Sequence, residues 1–148
     1  MLLGLLSREE KIHFIDLLGK IIVVDGPTNE LETQIINKLK HEMGDDVAKY
    51  RKTNLSLEKL IEYFAEKPKT IKNLVFLNIV SASLYDDFYS VEEHIVIEKI
   101  QEQFGISNKK KQELVKVVYA ERDLREKAKR VISEWLFKNH IPLLQNYI

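Results

Sequence analysis

Three times along this chain a short polar residue is followed three positions later by a glutamate, and then by an apolar row at helical spacing. The pairs are Ser7 with Glu10, Asn29 with Glu32, and Ser90 with Glu93. In this pattern the first side chain accepts a free amide at the start of a helix, and the glutamate returns to the amide of the cap itself. Three such starts constrain the fold more than any other feature of the sequence. Each commits the next dozen residues to a helix and sets which face of it is apolar. Only five Gly and three Pro interrupt 148 residues, so the helices between these starts can be long. The β-branched runs all fall inside 3.6-residue periodicity, which leaves no strand signal.

Followed in order, the punctuation predicts six or seven helices in a single all-α domain spanning residues 1–148. The first opens at Ser7. It carries one row of Ile12, Ile15, Leu18 and Ile22 and a second of Phe14, Leu17, Ile21 and Val24, and Asp25-Gly26-Pro27 ends it. The second opens at Asn29, carries Leu31, Ile35, Ile36, Leu39 and Met43, and stops at Gly44. Residues 45–55 read as a polar connection. A short helix capped by Ser56 follows, with Leu57, Leu60, Ile61 and Phe64 turned inward, and it stops before Pro68. Thr70 to Leu84 reads as a core helix, because the thirteen residues from Asn73 to Tyr85 hold no charge. That run suits burial in a protein and is too short to span a bilayer. A turn at residues 85–89 leads to Ser90 and a helix bearing Val91, Ile95, Ile97, Ile100 and Phe104, ended by Gly105. Ser107 opens the last and longest helix, predicted over about 107–139.

The chain also repeats itself. With an offset of 61, residues 10–44 align with residues 71–105, and Lys11, Asp25, Glu32, Ile36, Lys38 and Gly44 fall on Lys72, Asp86, Glu93, Ile97, Lys99 and Gly105. Six identities in 35 positions is a small number. Three of them, however, are the turn acid, the cap glutamate and the stop glycine, the residues that set helix ends. The repeated unit is a buried helix, an acidic turn, a capped amphipathic helix and a glycine stop. Neither copy can bury its apolar face alone, so the two are expected to pack on each other.

The segment from Ile21 to Glu32, Ile-Ile-Val-Val-Asp-Gly-Pro-Thr-Asn-Glu-Leu-Glu, followed by an amphipathic helix ending at Gly44, resembles the signature of TerB-like domains. These are the tellurite-resistance protein TerB and its relatives, including a region of a membrane-anchored DnaJ-type co-chaperone. The family pattern is a helix ending in Asp-Gly, a turn, and a helix with a Glu seven residues after the Asp. It recurs here at Asp86 and Glu93, with Asp87 where the family often has Gly. The resemblance spans about residues 7–138. It implies an all-helical fold with pseudo-twofold halves and a link to tellurite or general stress resistance. It also implies that acids in such positions contact a metal. No His-Pro-Asp motif is present, so the co-chaperone role is not carried over.

Asp25, Glu32, Asp86 and Glu93 are accordingly the candidate metal ligands, and Ca²⁺ or Mg²⁺ is the cation such carboxylates would take. The competing reading is that the two glutamates complete caps and the two aspartates close turns beside helix N-termini, where negative charge is stabilised. Neither turn has the alternating oxygen ligands and central Gly of an EF-hand. The histidines, His13, His41, His94 and His140, share no helical ligand spacing, and there is no cysteine. Without a phosphate loop, a nucleophile elbow or a dinucleotide fingerprint, the sequence argues against an enzyme, and an uncharacterised enzyme stands as a third reading after the interaction module and the anionic-surface binder.

Lys+Arg and Asp+Glu are both 23, yet they are segregated. Residues 107–138 hold ten basic and five acidic side chains, and residues 1–106 hold 13 and 18. The basic helix is the place where RNA, DNA or an anionic surface would bind. Zero net charge and the absence of interleaved aromatics apart from Tyr119 argue against nucleic acid. The same helix carries a seam of Leu114, Val117, Glu121, Leu124, Ala128, Val131 and Trp135 at 3–4 spacing. The expectation is docking on the body from Leu114 to Leu124 and a homodimer contact near Val131 and Trp135. The apolar N-terminus, Met1 to Leu6, has no basic n-region and no cleavage site, so it is expected to pack on the fold of a cytoplasmic protein. A protein partner is expected.

Overall fold

The local chemistry of the helix starts is realised as the caps require. Ser7 Oγ accepts from the Glu10 amide at 3.1 Å, and the Ser7 amide donates to Glu10 Oε1 at 2.8 Å. Both halves of the reciprocal cap are therefore made. Ser56, Ser90 and Ser107 each accept from the amide three residues on, at 3.2, 3.0 and 3.1 Å. From these starts a computed structural model gives six helices: α1 (Arg8–Ile22), α2 (Glu30–Met43), α3 (Leu57–Ala65), α4 (Lys69–Ser83), α5 (Val91–Gln103) and α6 (Asn108–Lys138). It describes residues 1–22, 30–44, 47, 53–84 and 90–138, with the backbone alone at 30–33, 35, 36 and 135–138. No strand occurs among the described residues.

Both glycine stops take backbone that L-residues avoid: Gly44 has φ 103° and Gly105 has φ 67°. Counting 61 residues on from α1 gives 69–83, the bounds of α4. Counting on from α2 gives 91–104, one residue longer than α5. Packing follows the same order, since α1 packs on α2 and α3 while α4 packs on α5 and α6. Between the two sets, α1 and α3 each touch α4 and α5. One core results, with Phe14, Leu17, Ile21, Leu60, Phe64, Val75, Phe76, Ile79, Ile97 and Ile100 closed to solvent.

Three details differ from the sequence reading. The connection after Gly44 is not wholly polar, because Val47 is fully buried in the core. Val91 and Ile95 stand exposed on α5, whereas Val96 joins Ile97 and Ile100 inside. Residues 93, 96, 97, 100 and 104 share one face at the 3.6-residue period and 91 and 95 do not, so the packed face is rotated from the row read off the sequence. The N-terminus packs as expected, with Leu3 and Leu6 buried around a 3₁₀ turn at Leu3–Leu5.

Candidate functional site

The four candidate ligands are treated unequally by the structure. Asp25 and Asp86 lie outside the described residues. Glu32 falls in the first turn of α2, where the backbone alone is described. Glu93 is 7% exposed in the first turn of α5, and its amide donates to Ser90 Oγ. That geometry is a helix cap. Among the described residues no group of three or more His, Asp or Glu side chains is arranged to hold a metal ion.

Two buried polar residues of the core helices are tied to neighbouring segments. Asp16 Oδ2 accepts from the Thr53 amide at 2.8 Å, which pins the entry to α3 against the middle of α1. Its other oxygen, Oδ1, is buried and has no partner among the described residues. Asn78, on α4, donates to the carbonyls of Met1 and Leu74, both at 2.9 Å, and accepts from the Met1 amine at 2.6 Å. Beside Asn78 runs a cleft of about 260 Å³ bordered by Lys38 and Glu42 of α2, Ser81 of α4, and Glu121 and Arg125 of α6. It is small for a ligand pocket and mixes both signs of charge.

A clasp that the sequence reading missed joins the start of α1 to the end of α3. The His13 ring stacks on Tyr63 with centroids 3.7 Å apart, and its Nδ1 lies 2.7 Å from the Glu9 carbonyl, which accepts. The Lys67 ammonium lies 4.7 Å from the centre of the Tyr63 ring and 3.6 Å from Glu10 Oε2. Burial raises the Tyr63 phenol above its ordinary range, and the Lys67 charge beside it only partly opposes this. Burial opposes the charge on Lys67, but Tyr63 and Glu10 outweigh it and raise that group too. His13 and Glu10 are three apart on one face of α1, while Tyr63 lies near the end of α3 and Lys67 just beyond it. That the two pairs meet is a tertiary fact with no sequence signal.

The longest helix, α6, carries a surface with no assigned role. Its inner row, Leu114, Val115 and Val118, packs into the core, with Val118 only 3% exposed. Glu121 and Arg125 then border the cleft beside α4. The seam expected to dock does so at Leu114 and not beyond it, for Val117 is 49% exposed and Leu124 68%. Successive residues are about 100° apart on a helix, so seating Val118 against α4 turns Val117 and Leu124 sideways. Val131 and Ile132, farther along, are 56% and 48% exposed. Much of the basic charge between them is answered locally: Lys110 pairs with Glu113 at 3.0 Å, Arg125 with Glu121 at 3.1 Å, and Lys129 with Glu126 at 3.5 Å. Such one-helix pairs weaken the case for a phosphate-binding face. No helix of the described residues is long and apolar enough to cross a membrane.

No protein-family model matches this chain, and no curated protein and no solved structure matches it significantly.

Proposed function

We propose that this chain is a non-enzymatic, TerB-like interaction module of the cytoplasm that engages a protein partner through the outer face of α6. The observation that carries this reading is the exposed row Val117, Leu124 and Val131 on a helix that is otherwise charged. Apolar side chains aligned on one face are favoured there when something covers them, and the body of this protein covers a different face. The TerB-like part of the reading rests on the Asp-Gly to Glu segment and on the repeat of two helix pairs expected from the sequence. The helix bounds repeated 61 residues apart and the paired left-handed stops Gly44 and Gly105 support it. That family link makes tellurite or general stress resistance the process served.

The test pairs stability with survival. Leu124→Glu/Val131→Glu is expected to leave the melting temperature of the body unchanged and to abolish protection of the source organism under tellurite or oxidant challenge. Full protection by this variant would overturn the reading. A large fall in melting temperature would show that the stripe belongs to the core and would overturn it as well. The cation role of Asp25, Glu32, Asp86 and Glu93 is a separate part of the proposal. If they bind Ca²⁺ or Mg²⁺, millimolar cation raises the melting temperature by mass action, and Asp25→Asn removes the rise. If Glu32 and Glu93 act only as caps, their alanine variants lose the same modest stability with and without cation.

A further inference from the structure

We infer that the occupant of the α6 stripe is a second copy of the same helix, paired antiparallel through residues 121–138. This rests on the preceding reading that the stripe is a binding face, and it names the partner.

The register comes from the spacing. Positions 114, 121, 128 and 135 alternate with 117, 124 and 131 at steps of three and four, the 3.5-residue repeat that keeps one seam facing a partner helix. In the described part the only charged member of that seam is Glu121, and Arg125 holds its carboxylate at 3.1 and 3.2 Å. The seam's charge is therefore neutralised within one helix before anything covers it.

Charge then selects the orientation. In a parallel pair Lys127 flanks the apolar Ile132 and meets no acidic partner. In an antiparallel pair centred between positions 129 and 130, Ala128 packs on Val131 and Leu124 faces position 135, a tryptophan. Lys127 then lies beside Glu134. The twofold makes each contact twice. Slipping the pair by one heptad toward the N-terminus sets Lys127 against Lys127, so one antiparallel register is favoured by complementarity. Ala128 near the axis lets the helices approach, and Ile132 adds apolar area at the edge of the seam. The surface is available for this, because Leu124, Lys127, Ala128, Val131, Ile132 and Glu134 are all exposed. The eighteen overlapping residues span about 27 Å at 1.5 Å per residue. That is short for a coiled coil, so the dimer is expected to be concentration-dependent.

The experiment is sedimentation equilibrium of the full chain from micromolar to millimolar concentration. The wild-type chain is expected to move from monomer to dimer, and Leu124→Glu is expected to remain monomeric with unchanged helicity and melting temperature. Glu134→Lys turns both attractive contacts with Lys127 into repulsive ones and should weaken the dimer roughly tenfold. Lys127→Glu should weaken it similarly, and the double exchange Lys127→Glu/Glu134→Lys should restore it. A chain with no native cysteine allows a direct orientation check. Val117→Cys should stay reduced under mild oxidation, because only a parallel pair brings two copies of position 117 within disulfide reach. A disulfide at 117 overturns the antiparallel pairing, and so does failure of the double exchange to restore the dimer. A wild-type chain that stays monomeric throughout overturns self-pairing but leaves a stripe for a different protein. Loss of fold in Leu124→Glu overturns both.

Discussion

The helix pairs α1–α2 and α4–α5 have nearly equal lengths and different interiors. Their ends agree with an offset of 61 to within one residue, and both second helices stop at a glycine with positive φ. At matching core positions the residues change. Phe14 corresponds to Val75 and Ile15 to Phe76, and all four are buried. Asp16 stands where the second pair has Leu77, and Leu17 where it has Asn78. Each pair thus buries one hydrogen-bonding residue in the middle of its first helix, one position apart. Asp16 holds the Thr53 amide, and Asn78 holds Met1. The lesson is that helix ends and helix interiors answer to different constraints. An end needs a particular donor, acceptor or backbone conformation. An interior position needs only volume, or a polar group that matches whichever segment lies against it.

The largest test of this comparison removes a core ring from each pair. Phe14→Ala and Phe76→Ala should each cost about 3–5 kcal/mol, because both side chains are fully buried. Both variants should unfold in one transition, since the two sets share one core. A separate early transition confined to one variant, seen by calorimetry, would split the molecule into two independent halves.

Next come the buried polar ties. Asp16→Ala should cost about 1.5–3 kcal/mol through loss of a hydrogen bond to a charged acceptor. It should also remove the hydrogen-exchange protection of the Thr53 amide, which Asn78→Ala should leave intact. Asn78→Ala should cost about 1–3 kcal/mol and loosen the N-terminal segment instead. Denaturant midpoints give the energies, and exchange assigns each loss to its own pair. If both variants expose the same amides, the ties are not local.

Smaller again are the stops. Gly44→Ala and Gly105→Ala place a Cβ on left-handed backbone and should each cost about 1–2 kcal/mol. At Gly105 the space around an added Cβ is open, so strain alone sets the loss there. A neutral Gly105→Ala would show that the second stop tolerates another conformation and that the likeness of the two stops is superficial.

The smallest effect belongs to the clasp between α1 and α3, which has no counterpart among the described residues of the second half. The Tyr63 hydroxyl is buried and without a hydrogen-bond partner among the described residues. Tyr63→Phe should therefore change stability by under about 1 kcal/mol at neutral pH, in the stabilising direction. The pH dependence has a definite sign. The folded state raises Tyr63 and Lys67 above their ordinary values, favouring the neutral phenol and the charged amine. Their contribution is whole at neutral pH and is lost as pH rises through those raised values, above about pH 10. Tyr63→Phe should make that alkaline loss shallower, as read from melting temperature against pH.

The all-helical class, the six helices and most of their ends follow from local residue patterns. These depend on neighbours three or four residues away, such as Ser7 with Glu10 or Ser90 with Glu93, and on single residues with special backbone freedom such as Gly105. The offset of 61 could be read for the same reason, because the residues that recur are ones that set helix ends. The face of a long amphipathic helix is a different matter. Periodicity marked Leu114, Val117 and Leu124 as one seam, but α4 accepted Leu114, Val115 and Val118 and left Val117 and Leu124 in solvent. Two apolar rows about 100° apart are equally helical, and only the shape of the surface they meet decides which row is buried. The clasp of His13, Tyr63, Lys67 and Glu10 and the tie from Asp16 to Thr53 were decided only by the tertiary structure. Each joins residues tens of positions apart whose spacing carries no period, so only the packing of α1 against α3 brings them within reach.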